Sequence, residues 1–167
     1  VDALEQAIRT KKMVAVIVGS SGSGKSSALF AGLLPRLRQA GGYQFAIFRP
    51  GSQPFYALAG AFMPLLEPDL SETDRLTETR KLAERLAQGE ISLAEVAGRI
   101  LEKISVTRQI LLVVDQFEEL YTLCPDASLQ KAFINELLAI VEAARERPAG
   151  LSIILLTMRA DFMGQVL

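Results

Sequence analysis

The sequence predicts an α/β fold, a three-layer α/β/α sandwich around a doubly wound parallel sheet, and three observations carry that prediction. Apolar runs of strand length alternate with amphipathic runs of helical length along the chain. Two of the apolar runs, Val14 to Val18 and Ile110 to Val114, are unbroken rather than alternating, as strands buried on both faces are. The first leads into GSSGSGKSS, Gly19 to Ser27, a match to G-x-x-x-x-G-K-[ST] set between a strand and a helix.

That setting predicts a phosphate-binding loop and a nucleoside triphosphate site. Gly19, Gly22 and Gly24 are expected to take positive φ and to let the backbone approach an anion closely. The amides from Ser21 through Ser23 and Gly24 to Ser26 would then point at a β-phosphate, aided by the positive end of the following helix. Lys25 would reach the β- and γ-oxygens, and the Ser26 hydroxyl would ligate Mg2+. Ser20 and Ser27 complete the stretch as nucleotide-contacting positions.

Composition narrows the classes. At 167 residues the chain suffices for about one domain with a continuous core. The hydrophobic share is 50%, and the mean hydropathy of +0.27 is high for a free-standing domain. Strands buried on both faces would explain this, and so would surface that another domain normally covers. No run approaches the roughly 18 apolar residues of a membrane span, and the N-terminus has no signal-peptide core. Lys and Arg total 18 against 19 Asp and Glu, without a basic cluster, which weighs against a nucleic-acid surface. One cysteine, Cys124, precludes an intrachain disulfide, and the absence of histidine removes His-based zinc sites and Ser-His or Cys-His catalysis. A cytoplasmic setting is the expectation.

Taken in order, Asp2 to Thr10 reads as a short helix with Leu4, Ala7 and Ile8 on one face, ended by Lys11 and Lys12. The first strand is expected over Met13 to Val18. The helix after the loop runs from about Gly24 to Gln39, closed by Gly41 and Gly42, with a kink or early break near Leu34 because Pro35 lies inside it. Tyr43 to Phe48 is the second strand, stopped by Arg49-Pro50-Gly51. A helix begins near Pro54 or Phe55, limited by Pro64. Another spans Thr73 to Gln88 behind a Ser71 cap and ends at Gly89. Ser92 and Glu95 fit a capping box that opens a helix to about Ile104. Ile110 to Val114 is the third strand, Ser128 to Arg147 the longest helix, broken by Pro148-Ala149-Gly150, and Ser152 to Thr157 the fourth strand.

Two further stretches carry chemistry. ILLVVDQFEEL, Ile110 to Leu120, is an apolar strand ending in acids. Phosphoryl transfer needs a carboxylate beside the metal and often another to orient water. Asp115 suits the first role; Glu118 and Glu119 are candidates for the second, with Glu118 preferred. LLTMRADFMG, Leu155 to Gly164, is a strand ending in Arg159. If that strand lies between the phosphate-loop strand and the Asp115 strand, Arg159 emerges beside the γ-phosphate and can stabilise transition-state charge; a surface pair with Asp161 is the alternative. Arg49 ends its strand similarly and is read as structural, and Cys124 as a buried small residue.

With GSSGSGKSS, AGLLPRL, FRPG, LLVVDQFEELYTLC and LTMRADFMG present in that order, the chain resembles a novel-STAND NTPase domain, a branch of P-loop signal-transduction ATPases related to NACHT and NB-ARC switches. The resemblance runs from about Met13 to Gly164. It implies a sheet of order 5-1-4-3-2, bound ATP or ADP with Mg2+, and slow hydrolysis in a complete bacterial protein. It also implies a switch closed with ADP that forms homo-oligomers with ATP. The family's acids fall on Asp115, Glu118 and Glu119, and its strand-end sensor arginine on Arg159. Against that pattern the chain starts without a G-R-E stretch and stops just after the fourth strand. The fifth strand and the helical and winged-helix parts are therefore expected outside it. On this reading residues 1–167 form one truncated NTPase domain of a larger multidomain protein, with the first strand an open edge, weak nucleotide affinity and little turnover alone.

Other functions remain open at this point. A transporter ATPase would show L-S-G-G-Q and a glutamate after Asp115, where Gln116 stands; a GTPase would show N-K-x-D. A small-molecule kinase would need an arginine-rich lid. A scaffold that binds nucleotide without turnover, or none, shares the same motifs.

Overall fold

The computed structural model describes residues 2–9, 14–104, 109–146 and 153–165. In chain order they form α1 (Asp2–Arg9), β1 (Val14–Gly19), α2 (Lys25–Ser27), a π-helical turn (Ala28–Leu33), α3 (Leu34–Ala40), β2 (Tyr43–Phe48), α4 (Pro54–Leu66), α5 (Glu72–Ala87), α6 (Leu93–Lys103), β3 (Gln109–Val114), α7 (Glu119–Thr122), α8 (Ala127–Glu146), β4 (Ile153–Arg159) and a 3-10 turn (Ala160–Gln165). Lys11, Lys12, Met13, Arg147, Pro148 to Gly150 and Ser152, to which the sequence assigned helix ends or strand starts, lie outside the described residues.

The four strands form one parallel sheet in the order β1-β4-β3-β2. This is the expected order over strands 1 to 4, with β4 between the phosphate-loop strand and the Asp115 strand. Alternating side chains feed two cores, as the two-residue strand period requires. Ala46 and Phe48 of β2, Ile110, Leu112 and Val114 of β3, and Ile154, Leu156 and Met158 of β4 pack under α4, α5, α6 and α8. Leu111, Val113 and Leu155 face the other way, onto Ile8 of α1 and onto Leu29, Leu33, Leu34 and Leu37. Two packed layers on a central sheet make the three-layer sandwich. β1 is the strand with exposed valines: Val14, Val16 and Val18 are 39%, 45% and 38% accessible.

Pro35 does not break the helix after the loop. A proline lacks an amide and its ring crowds the carbonyl four residues back. The chain widens there into a π turn, in which Leu34 N–H reaches the Leu29 carbonyl, and continues as α3. Pro64 likewise lies inside α4, which runs on to Leu66. The caps are as the sequence predicts. Ser71 Oγ accepts from Asp74 N–H, and Ser92 and Glu95 form a reciprocal capping box. Gly89, at φ 70°, closes α5: its N–H donates to the Leu86 carbonyl, and Glu90 N–H donates to the Arg85 carbonyl.

Candidate functional site

Because the strands are parallel, their carboxyl ends share one edge of the sheet, where ligands of open α/β sheets bind. Gly19 is register partner to Arg159 across β1 and β4, and Phe48 to Val114 across β2 and β3. Arg49 and Asp115 follow directly.

The loop after β1 owes its shape to glycine at two points. Gly22 and Gly24 hold φ of 74° and 80°, and Gly24 serves as N-cap of α2. Gly19 differs from the positive φ expected of it: it is the last residue of β1, where a Cβ would meet Ser23 Oγ at 2.6 Å and that hydroxyl would have to turn aside. The loop also bonds to itself. Ser23 N–H donates to the Ser20 carbonyl at 3.2 Å. Lys25 Nζ donates to the carbonyls of Gly19 at 2.9 Å and Ser20 at 2.8 Å.

Asp115 is the centre of the site. It is 1% exposed, and its Oδ1 accepts from Ser26 Oγ at 2.9 Å and Thr157 Oγ1 at 2.7 Å. Its Oδ2 accepts from Arg49 Nε at 3.1 Å. The loop hydroxyl and the strand-end carboxylate, 89 residues apart in sequence, are thus brought into contact. Arg49, which the sequence reading set aside as structural, is bonded directly to the central acid. Thr157, fully buried in β4, was missed; one hydroxyl inside LLTMR was the available signal. It also accepts the Gln116 N–H at 2.8 Å.

Gln116 sits at φ 55°, unusual for a residue with a side chain. Its amide orientation, assigned from the hydrogen-bond network, lets the oxygen accept from Arg49 Nη2 at 3.3 Å and the nitrogen donate to Glu119 Oε1 at 2.9 Å. Glu118 is buried at 9% exposure, and its Oε2 accepts from Arg159 N–H at 3.3 Å. The guanidinium of Arg159 is engaged with Asp161, Nε to Oδ1 at 3.1 Å and Nη2 to Oδ2 at 2.6 Å, and lies over the Phe162 ring. The hydrogen bonds of that pair, with its charge attraction, raise the arginine pKa and lower that of Asp161.

These pieces enclose a cleft of about 520 Å³. Residues 21–27 line one wall, and Gln116, Glu118, Glu119, Thr122, Leu123 and Arg159 the other. Asp115 lies buried behind Ser26. Gly19 and Ser20 contribute carbonyls to Lys25 rather than lining. A wider cleft of about 700 Å³ lies between α4 and α5, with Met63, Leu66, Leu82 and Ile91 in its wall. It has no glycine-rich loop or strand end, so the smaller cleft is the candidate site.

The family model for Novel STAND NTPase 1 matches residues 1–167. The chain belongs to the novel STAND NTPases. No curated protein and no solved structure gives a significant match. Membership of the novel STAND NTPases implies nucleotide binding. No helix among the described residues is long and apolar enough to cross a membrane.

Proposed function

We propose that this domain binds ATP with Mg2+ and serves as the nucleotide-dependent switch of a larger signalling protein that hydrolyses ATP slowly. The contact between Ser26 Oγ and Asp115 Oδ1 carries the reading. By donating its proton to Asp115, Ser26 keeps its two lone pairs for a cation. Among the described residues no group of three or more Asp, Glu or Cys could cage a metal. One hydroxyl backed by one carboxylate fits Mg2+, which usually takes much of its shell from phosphate and water. Bound there, Mg2+ would neutralise charge on the phosphates.

The chain's own groups do the rest. Lys25 and the Ser23 amide exchange the loop carbonyls for phosphate oxygens. Glu118, held by the Arg159 amide on the facing wall, orients the attacking water and takes its proton. The Arg159 guanidinium, on leaving Asp161, stabilises charge on the transferring group. The other domains of the parent chain, a nucleotide-dependent homo-oligomer and a cytoplasmic site of action belong to this reading. The exposed valines of β1 support a covering by further protein.

Titration with ATP and Mg2+ tests the reading. Saturable binding that Lys25→Ala abolishes supports it, and no saturable signal from the whole protein overturns it. A non-hydrolysing scaffold is the second reading, favoured by the bidentate pair that occupies Arg159. Binding without turnover, or assembly that does not respond to ATP against ADP, would select it.

A further inference from the structure

A carboxylate taken out of water must be paired as well as hydrogen-bonded. Asp115, 1% exposed, has two hydroxyls on Oδ1, which supply hydrogen bonds without charge. The cation on it is Arg49, through Oδ2 at 3.1 Å. The arginine side chain is itself 54% exposed, so its guanidinium can return to water with little penalty. Arg49 also holds the side chain of Gln116, whose amide reaches Glu119.

We propose that Arg49 is the resident counter-ion of Asp115 and a competitor of the divalent cation for it. This rests on the reading of Ser26 and Asp115 as the Mg2+ position. A cation at Ser26 and the guanidinium at Oδ2 neutralise one carboxylate, and each disfavours the other by like-charge repulsion. Metal entry therefore weakens the Arg49–Asp115 pair. Because Arg49 is joined to Glu119 through the Gln116 side chain, its release frees that side chain and loosens its hold on the Glu119 carboxylate. Arg49 thereby links metal loading to the position of the Glu119 carboxylate on the cleft wall. By reciprocity, whatever removes Arg49 from Asp115 tightens the metal by the same factor.

Two variants test this: Arg49→Met, which keeps the apolar stem and loses the charge, and Arg49→Lys, which keeps the charge. The first readout is melting temperature in EDTA and at saturating ATP and Mg2+. Arg49→Met is expected to melt roughly 3–8 °C below wild type in EDTA, where Asp115 has lost its counter-ion, and to close most of that gap with metal and nucleotide. The second is the gain in ATP affinity that Mg2+ confers, expected to rise roughly 5–10-fold over wild type in Arg49→Met and to stay within about twofold of wild type in Arg49→Lys. An equal melting deficit under both conditions overturns the proposal, as does an Mg2+-dependent gain at or below the wild-type value. If wild type binds ATP no better with Mg2+ than in EDTA, the metal reading itself falls and the competition with it. That result is distinct, because it appears in the unsubstituted protein.

Discussion

The Thr157 hydroxyl of β4 pins the carboxyl end of β3: it donates to Asp115 Oδ1 at 2.7 Å and accepts the Gln116 N–H at 2.8 Å. Thr157 is fully buried and Asp115 nearly so, so neither can turn to water instead. Thr157→Val keeps the shape and deletes both bonds, leaving a carboxylate lone pair and an amide unsatisfied. Such a loss costs about 1–3 kcal/mol. Urea unfolding should show a lower midpoint with unchanged slope, and Thr157→Ser should recover most of the difference. A Thr157→Val protein as stable as wild type would contradict this role.

Phe133 of α8 joins the helical layer to the sheet. It is fully buried and meets Phe48 of β2 and Phe55 of α4 edge to face, with centroids 6.2 and 5.5 Å apart. Phe133→Ala would remove both contacts and leave a cavity that strand and helix backbones cannot readily close. A loss of about 3–5 kcal/mol is expected in equilibrium unfolding. Phe133→Leu, which retains most of the volume, should cost markedly less. Equal costs for the two would show that the site repacks freely.

The capping box gives a pH dependence of known sign. Glu95 accepts hydrogen bonds from the Ser92 backbone and hydroxyl, and these lower its pKa below the ordinary glutamate value. A depressed carboxylate stabilises the fold at pH values above its unfolded pKa. It loses that contribution as pH falls through the lower, folded value. The stability gap between wild type and Glu95→Gln should therefore be present at pH 7 and shrink below about pH 4, near the unperturbed carboxylate range. Unfolding curves over that interval would check it. A gap that widens with acid would reverse the assignment.

What was legible in the sequence was local. The G-x-x-x-x-G-K-S loop, the Ser92–Glu95 box and the glycine closing α5 lie within short windows, where residue type and spacing determine the hydrogen bonds. The order of the strands followed from the resemblance, and the β4 position that Arg159 required is the one observed. Pro35 marked the place of an irregularity, which takes the form of a π turn ending at Leu33 rather than a break, because a local rule met a tertiary constraint. Leu29, Leu33, Leu34 and Leu37 are all buried, and widening one turn keeps them so where a break would expose them. The partners of Asp115 were not legible as such, because Arg49 and Thr157 lie 66 and 42 residues away. Only the pairing of strands decides which ends meet. The positive φ of Gln116 had no sequence signal, since glutamine is not a residue that favours it.

Glu118 and Glu119 were alike in sequence and differ in setting, which gives the sharpest test of the proposed chemistry. Both line the cleft, but the Glu119 carboxylate is engaged by the Gln116 amide, whereas Glu118 is buried and takes a long 3.3 Å bond from the Arg159 N–H. A water-orienting base must face the cleft with an oxygen to spare; each carboxylate keeps one, and the proposal assigns the role to Glu118. Glu118→Gln keeps size and hydrogen bonding while removing the basic oxygen. It should leave ATP affinity within about threefold and lower turnover by roughly 10²–10⁴-fold. Glu119→Gln should disturb the tie to Gln116 and lower turnover by about tenfold or less. Single-turnover hydrolysis beside equilibrium ATP binding separates the two effects. If Glu119→Gln showed the large loss and Glu118→Gln the small one, the roles would be exchanged. If neither reduced turnover, hydrolysis would have to use another acid.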